Sequence, residues 1–241
     1  MRTDLAFIND LSKKFGPTQI SISQFFLSNN SVIALAYSAF SRTLIELKSY
    51  VDDEFKGSIN SENPSSKWPK TTLGCLTSDK SLSESEVNVL RDLCTNYSNR
   101  IISLEELDLI QKINSLQLVV FGCRSLENKL FSLTIPLNGD KYADDTPPPL
   151  HSQFVKEVIS QFSKENHDLY FPKLNPNGRT INSHYRNFHV ETTLIAEITL
   201  PERVKEIVFA FRNAVDKSFP DVYQWFDESS WHLTLRALVS K

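Results

Sequence analysis

Two short stretches of the 241-residue chain combine a basic side chain with a threonine two residues later. The first is "KTTL", with Lys70 and Thr72, and the second is "HLTL", with His232 and Thr234. Alternate residues of a β-strand share one face, so each pair projects to one side of its strand. Cleavage of a phosphodiester needs a base on one side, an acid on the other, and donors for the phosphate oxygens. The two stretches therefore predict a phosphate site, provided that their strands face each other.

The two basic residues differ in how they can handle a proton. An imidazole has an ordinary pKa of about 6.5, so His232 can act as acid or base near neutral pH. A lysine has an ordinary pKa of about 10.4, so Lys70 would stabilise phosphate charge, or act as an acid if burial lowered its pKa. Structural alternatives remain open, because a strand histidine can be hydrogen-bonded structure and a lysine at the start of a strand can be solvated. Arg236 continues the polar face of the second strand.

A second set of candidates lies in "GRTINSHYRNFH", where several cations and Tyr185 occur within eleven positions. Arginine can form a forked pair with a phosphate, and tyrosine can stack on a base. We therefore assign substrate binding to Tyr185, Arg186, His189 and Arg236. His189 is also a weaker alternative to Lys70 as the partner of His232. Trp68 and Trp231 lie close to the two motifs and either stack on a base or pack in the core.

Composition narrows the classes of function. The formal net charge is −3 and there are no runs of Lys or Arg, which argues against duplex DNA as a partner. The three cysteines form no CxxC pair, so we expect reduced thiols and a cytoplasmic protein. The apolar runs are too short for a membrane span. Motifs of nucleotide-cofactor and zinc-hydrolase sites are absent from the sequence, so no cofactor and no metal are predicted.

Regular elements are predicted between three polar loops. The loops are rich in turn-forming residues and cover 56–69, 138–150 and 172–187. A helix is expected to begin after Ser83, since Glu86 completes a capping box with it. "LQLVVFGC", "KLFSLTIPL", "HVETTLIAEITL" and "WHLTLRALV" predict strands, and "HSQFVKEVISQFS" predicts a helix. A further helix is expected from about Pro201 to Lys217, with one apolar side formed by Val204, Ile207, Val208, Phe211 and Val215.

A strand–helix–strand order occurs twice, once from "SVIALAY" to "KTTLGCL" and once from "TTLIAEI" to "HLTLRAL". The alternative for the first unit is a single unbroken helix, because its apolar residues from Ile33 to Val51 also follow helical spacing. We predict one bilobal domain over residues 1–241. Residues 1–66 would form a largely helical extension plus the start of the first lobe, and this segment is also the candidate site for a protein partner. The first lobe would cover 67–150 and the second 151–241.

The "HLTL" segment, preceded by the helix in "LPERVKEIVFAFRNAVDKSF", resembles the HxT motif unit of the two-histidine (2H) phosphoesterases, the RNA-ligase-like and cyclic nucleotide phosphodiesterase proteins. "KTTL" and the helix, two strands and helix after it are similar to the order of elements that begins at the family's first motif. The resemblance implies an α+β bilobal fold in which two antiparallel sheets, flanked by helices, surround a central groove. It implies that His232 is a catalytic acid or base, and that Thr234 and Thr72 donate to phosphate oxygens. The departure is Lys70, which stands where the family has its other histidine.

The resulting hypothesis is a metal-independent phosphodiesterase that acts on a nucleotide or RNA end, such as a 2′,3′-cyclic phosphate. Its catalytic residues would be His232, Thr234, Lys70 and Thr72. One alternative is a relative that has lost catalysis and binds a nucleotide or RNA end, which the lysine at position 70 favours. Another is an interaction protein that docks a partner through residues 1–66.

Overall fold

A computed structural model describes residues 4–62, 66–78, 81–174 and 183–239. The strands are β1 (Thr18–Ser28), β2 (Val32–Tyr37), β3 (Lys70–Leu76), β4 (Ile110–Ile113), β5 (Ser115–Phe121), β6 (Lys129–Pro136), β7 (Glu191–Glu197), β8 (Tyr223–Trp225) and β9 (His232–Val239). The helices are α1 (Asp4–Lys14), α2 (Arg42–Glu54), α3 (Glu84–Ile102), α4 (Pro149–Ser160), α5 (His167–Leu174), α6 (Ser183–Arg186) and α7 (Glu202–Ser218).

The strands form two antiparallel sheets, which confirms the predicted α+β class. The first sheet has the order β4-β1-β2-β3-β8, and the second has the order β6-β5-β7-β9. Every strand pairing in both sheets is antiparallel. Helices pack on both sheets, as in the contacts of α3 with β1 and of α2 with β9, and α3 also contacts α7.

The two sheets do not divide the chain at the positions expected from the sequence. Strands β5 and β6 lie within 67–150 but belong to the second sheet, whereas β8 lies within 151–241 and pairs with β3 in the first. Each sheet therefore takes strands from both of the ranges 67–150 and 151–241. A β-strand of three residues gives almost no sequence signal, which is why β8 could not be anticipated.

The N-terminal segment contains both helices and strands of the first sheet. Strands β1 and β2 pair with each other at the centre of this sheet, and Leu11 and Phe15 at the end of α1 are buried in the core. The described part of residues 1–66 is thus integrated into the first sheet through β1 and β2, with α1 and α2 beside them. A protein partner for residues 1–66 stays a prediction.

The repeated strand–helix–strand order is present in the structure. In the first unit α2 connects β2 to β3, and in the second α7 lies between β7 and β9. The outer strands of each unit pair with each other antiparallel. The alternative of one unbroken helix over the first unit is wrong. All six residues of β2 are buried, which explains why its apolar run lacked the alternation of a half-exposed strand.

The capping box predicted for α3 and the buried face predicted for α7 are both present. Ser83 and Glu86 form the capping box at the start of α3. On α7 the five residues predicted to be apolar contacts are all buried: Val204, Ile207, Val208, Phe211 and Val215. They join one large core with residues of both sheets, including Phe25, Leu194 and Leu235. Among the described residues, no helix has the length and apolarity needed to cross a membrane.

Candidate active site

A groove between the two sheets brings the two sequence motifs together. Lys70 and Thr72 on β3 line it, and so do His232 and Thr234 on β9. The groove contains a cavity of about 180 Å³. Strands β3 and β9 contact each other directly, so the two short motifs lie in one site although they are far apart in sequence.

The alternation along each strand orients these side chains. On β3, Thr71 and Leu73 are buried while Lys70 and Thr72 keep contact with solvent. On β9, Leu233 and Leu235 are buried and pack in the core, so the residues between them turn towards the groove. The period of two in a strand therefore produces both the core contacts and the polar wall of the groove.

Gly74 on β3 allows the close approach of β8, the strand that precedes β9 in the chain. A Cβ at this position would lie 2.7 Å from the Gln224 carbonyl oxygen and 2.8 Å from the Trp225 ring. Because glycine has no Cβ, β8 can pair closely with β3 at this point. The Phe226 amide then donates to the Leu73 carbonyl, 2.9 Å away. The chain continues from there to His232 at the start of β9.

His232 is held in one tautomer. Its Nδ1 lies 2.7 Å from the Ser230 carbonyl oxygen. A carbonyl only accepts, so Nδ1 must carry the proton, and Nε2 is the nitrogen that can accept one. Burial lowers the pKa of His232 to about 4, and this outweighs the opposite effect of the Ser230 carbonyl. The imidazole is therefore neutral at pH 7 and is equipped to act as a base.

Lys70 is an acid with an unusually low pKa. Burial lowers the pKa of its ammonium to about 7, and the positive charge of Lys48 contributes to the decrease. The Nζ atom lies 4.3 Å from the centre of the Trp68 ring, a cation–π contact that favours the charged form. Lys70 and His232 both retain some contact with solvent, yet protein atoms surround them in the groove. Near neutral pH Lys70 can thus exist in either protonation state.

Tyr185 is the member of the "GRTINSHYRNFH" stretch that reaches the groove. Its ring packs against Phe226, with 5.7 Å between ring centres, and it lines the groove beside Thr72. Burial raises the pKa of Tyr185, and the positive charge of Arg124 and a hydrogen bond with Thr72 oppose this. The phenol therefore stays protonated at neutral pH.

The other predicted binding residues occupy different positions. Arg236 lines the groove, but it is only 4% exposed, and its guanidinium donates to the Asp52 carboxylate and the Asn60 carbonyl. Arg186 donates to the Thr77 carbonyl at 2.7 Å and is not among the groove-lining residues. His189 precedes β7 and is also not among them. The geometry therefore does not support Arg186 and His189 as substrate-binding residues or His189 as the partner of His232.

Two cations of the same loop lie outside what the structure describes. Arg179 falls within residues 175–182, and the side chain of His184 is not described. Of the two tryptophans that lie close to the motifs in sequence, Trp68 lines the groove and is 5% exposed. Trp231 is 2% exposed and packs in the core.

Sequence reasoning missed a charged pair on the groove wall. Arg124 donates to both carboxylate oxygens of Glu191, from Nε and Nη2 at 3.1 Å each. Arg124 follows β5 in a turn where Leu126 adopts a left-handed backbone conformation (φ 60°) and places its side chain in a small core with Val119, Phe121 and Ile195. Since neither residue belongs to a motif, only the pairing of β5 with β7 could have revealed the site.

Within the described ranges, no group of three or more His, Cys, Asp or Glu side chains is arranged to hold a metal ion. Comparisons with protein-family models, with curated proteins and with solved structures found no match.

Proposed function

We propose that the groove is the active site of a phosphodiesterase that acts on a nucleotide or RNA end, with a 2′,3′-cyclic phosphate as the first substrate to test. The observation that carries this proposal is the placement of Lys70, Thr72, His232 and Thr234 on adjoining walls of one groove. Two basic groups and two hydroxyls around a cavity of about 180 Å³ match the donors and acceptors of a single phosphate. The resemblance to the 2H phosphoesterases supports the same chemistry.

In the proposed reaction Nε2 of His232 takes a proton from a water molecule, and the water oxygen forms a bond to phosphorus. The bond from phosphorus to one ribose oxygen breaks, and the Lys70 ammonium gives a proton to that oxygen. The Thr72 and Thr234 hydroxyls donate to the non-bridging oxygens as their charge increases. The products are a phosphomonoester and a free hydroxyl. Proton transfer by positioned groups of this kind contributes about 10²–10⁴-fold in rate.

The pKa values of the two groups suit these roles. His232, with a pKa of about 4, is unprotonated at neutral pH, and Lys70, with a pKa of about 7, is still partly protonated there. Base and acid are both in the required state between these two values. We therefore expect a bell-shaped dependence of kcat/KM on pH, with limbs near pH 4 and pH 7.

A second candidate is binding of a phosphate end without turnover. The contact of the Lys70 ammonium with the Trp68 ring, at 4.3 Å, favours this candidate because it stabilises the charged lysine. A lysine that never released its proton would hold a phosphate and leave the reaction without an acid.

The decisive experiment is a hydrolysis assay with EDTA present, on 2′,3′-cyclic AMP and on a short RNA with a 2′,3′-cyclic phosphate end. Wild type is expected to form the monoester, and His232→Ala to lose about 10²-fold or more of kcat. The matched control is His167→Gln, since His167 lies on α5 and bonds to Arg91 on α3, outside the groove lining. Stabilisation by these compounds without turnover would support the binding candidate. If these compounds are neither hydrolysed nor stabilise the protein, both candidates are contradicted.

A further inference from the structure

Lys48 is a buried lysine to which the proposed reaction gives no role. It lies on α2 and is only 8% exposed. Its ammonium donates to the Glu62 carboxylate, to the Ser66 carbonyl at 3.0 Å and to the Leu235 carbonyl at 2.7 Å. An ammonium has three donors, so every one of them is used. Isolated burial of such a charge costs several kcal/mol, and these three acceptors offset that cost.

The three acceptors come from two separate parts of the chain, and one of them, Ser66, lines the groove. Glu62 and Ser66 follow α2 in the chain, and Ser66 lines the groove together with Asn60 and Ser61. Leu235 lies on β9, directly after Thr234. One ammonium therefore joins a helix of the first sheet, the segment that follows this helix, and the strand that carries the imidazole.

A second junction lies one helical turn further along α2. Asp52 accepts from Nε of Arg236 at 2.5 Å, and Nη2 of Arg236 donates to the Asn60 carbonyl at 2.5 Å. Lys48 and Asp52 are four residues apart and thus on the same side of the helix. Lys48 therefore bonds directly to β9 and to the residues after the helix, whereas Asp52 bonds to Arg236 of β9, which in turn bonds to Asn60.

We propose that Lys48 is a positioning residue for the groove, which holds Glu62, Ser66 and β9 against α2 and presents a positive charge to Lys70. This inference deepens the proposed function and rests on it for its catalytic meaning. Burial is the main cause of the low pKa of Lys70, the repulsion from Lys48 lowers this pKa further, and the more weakly acting Glu62 opposes the decrease. An acid with a pKa near 7 is a better proton donor at neutral pH than an ordinary lysine.

Other charged or titratable groups also face these two lysines. Around Lys48 they are Asp52 on α2, Arg236 on β9 and His151 on α4. Those that line the groove with Lys70 are His232, Arg236, Tyr185, Arg124 and Glu191. Among the positively charged groups, Lys48 is the one whose repulsion lowers the pKa of Lys70.

The test measures the pKa of Lys70 directly, in protein labelled with ¹³C at the lysine Cε, with the Lys70 signal assigned from Lys70→Arg. In Lys48→Met the repulsion is lost, so the pKa of Lys70 is expected to rise by about one unit. In Lys48→Met/Glu62→Gln a smaller rise is expected, because the weaker attraction of Glu62 is removed as well. The control Lys67→Met removes a positive charge from an exposed side chain three residues before Lys70, and no shift is expected.

The second measurement is the pH profile of kcat/KM, in which the limb near pH 7 should move to higher pH in both Lys48 variants. A loss of activity at every pH without this movement would show a merely structural role and overturn the inference. The same conclusion holds if the pKa of Lys70 is equal in Lys48→Met and Lys67→Met. If Lys48→Met does not fold, the double variant, which leaves no buried carboxylate unpaired, decides in its place. If wild type has no turnover, the proposed function fails, while the Lys70 titration still decides whether Lys48 sets its proton affinity.

Discussion

Burial lowers the pKa of both basic residues in the groove, and the extent of the decrease gives each of them a separate task. His232, with a pKa of about 4, can only accept a proton at neutral pH, and its Nδ1 is already committed to the Ser230 carbonyl. Lys70, with a pKa of about 7, can give a proton under the same conditions. The proposed roles of base and acid therefore follow from the environment of each residue more than from its type.

Replacement of Lys70 by arginine separates proton donation from charge stabilisation. An arginine stays charged at all working pH values and cannot act as an acid. We expect Lys70→Arg to lose about 10²-fold or more of kcat, with little change in KM and without the limb near pH 7. The matched variant Lys70→His can donate a proton and should retain turnover. Steady-state kinetics from pH 4 to 9 provide the measurement, and unchanged kcat in Lys70→Arg would limit Lys70 to an electrostatic role.

At the scale of elements, the sequence identified most of the strands and helices that build the groove, because their apolar periodicity and caps are local signals. It left β2 and α2 ambiguous, since one apolar stripe ran from Ile33 to Val51. The structure separates them at Ser41, which caps α2 through its side chain. Partners that are distant in sequence could not be predicted. Lys48 and Asp52 look like ordinary exposed helix residues until the position of β9 is known.

Asp145 is another such partner, and it stabilises the helix that positions Lys48. Its Oδ1 accepts from the Thr43 amide at 2.8 Å and from the Thr43 hydroxyl at 2.7 Å, and its Oδ2 accepts from Thr18 at 2.5 Å. A carboxylate at a helix N-terminus satisfies a free amide and interacts favourably with the helix dipole. A residue from the 138–150 loop thus anchors the first turn of α2.

Loss of this anchor should destabilise the protein measurably. We expect Asp145→Ala to lower the free energy of unfolding by about 1–3 kcal/mol, since it leaves the Thr43 amide without its acceptor. The neighbouring Asp144 is a suitable control. Its side chain is 63% exposed and its contact with Arg42 is 3.7 Å long, so Asp144→Ala should change stability by less than about 0.5 kcal/mol. Urea denaturation compares the variants, and equal effects of the two would refute the anchoring role of Asp145.

At the scale of the whole molecule, the groove exists because the chain exchanges segments between its two sheets. Strands β5 and β6 join the second sheet before the chain returns through β8 to the first, and β9 then completes the second. The sequence motifs predicted the chemistry of the two walls, but this exchange depends on pairings between distant strands. No local pattern around Arg124 or Glu191 indicated that both would line the same cavity.

Placing a neutral imidazole between the sheets has a consequence for the stability of the entire fold. The unfolded chain binds a proton at His232 below about pH 6.5, whereas the folded protein does so only below about pH 4. Between these values the unfolded state binds more protons, so the free energy of unfolding decreases as the pH falls from 6.5 to 4 and is unaffected by this group above 6.5. His232→Gln removes this contribution. In urea denaturation, the difference in the free energy of unfolding between wild type and variant should be constant above pH 6.5. Between pH 6.5 and 4 it should shift by about 3 kcal/mol in favour of the variant.

The complementary variant Lys70→Met tests the other wall of the groove in a different pH window. Folded Lys70 loses its proton near pH 7, and the unfolded chain near pH 10.5, so wild type should gain stability relative to this variant as the pH rises through that range. The two windows barely overlap, which allows the two walls to be distinguished in one set of denaturation curves.

Parallel curves for wild type and His232→Gln across pH 4–6.5 would mean that the imidazole is as well solvated in the folded protein as in the unfolded chain. The base would then lack the buried environment on which the proposed mechanism depends.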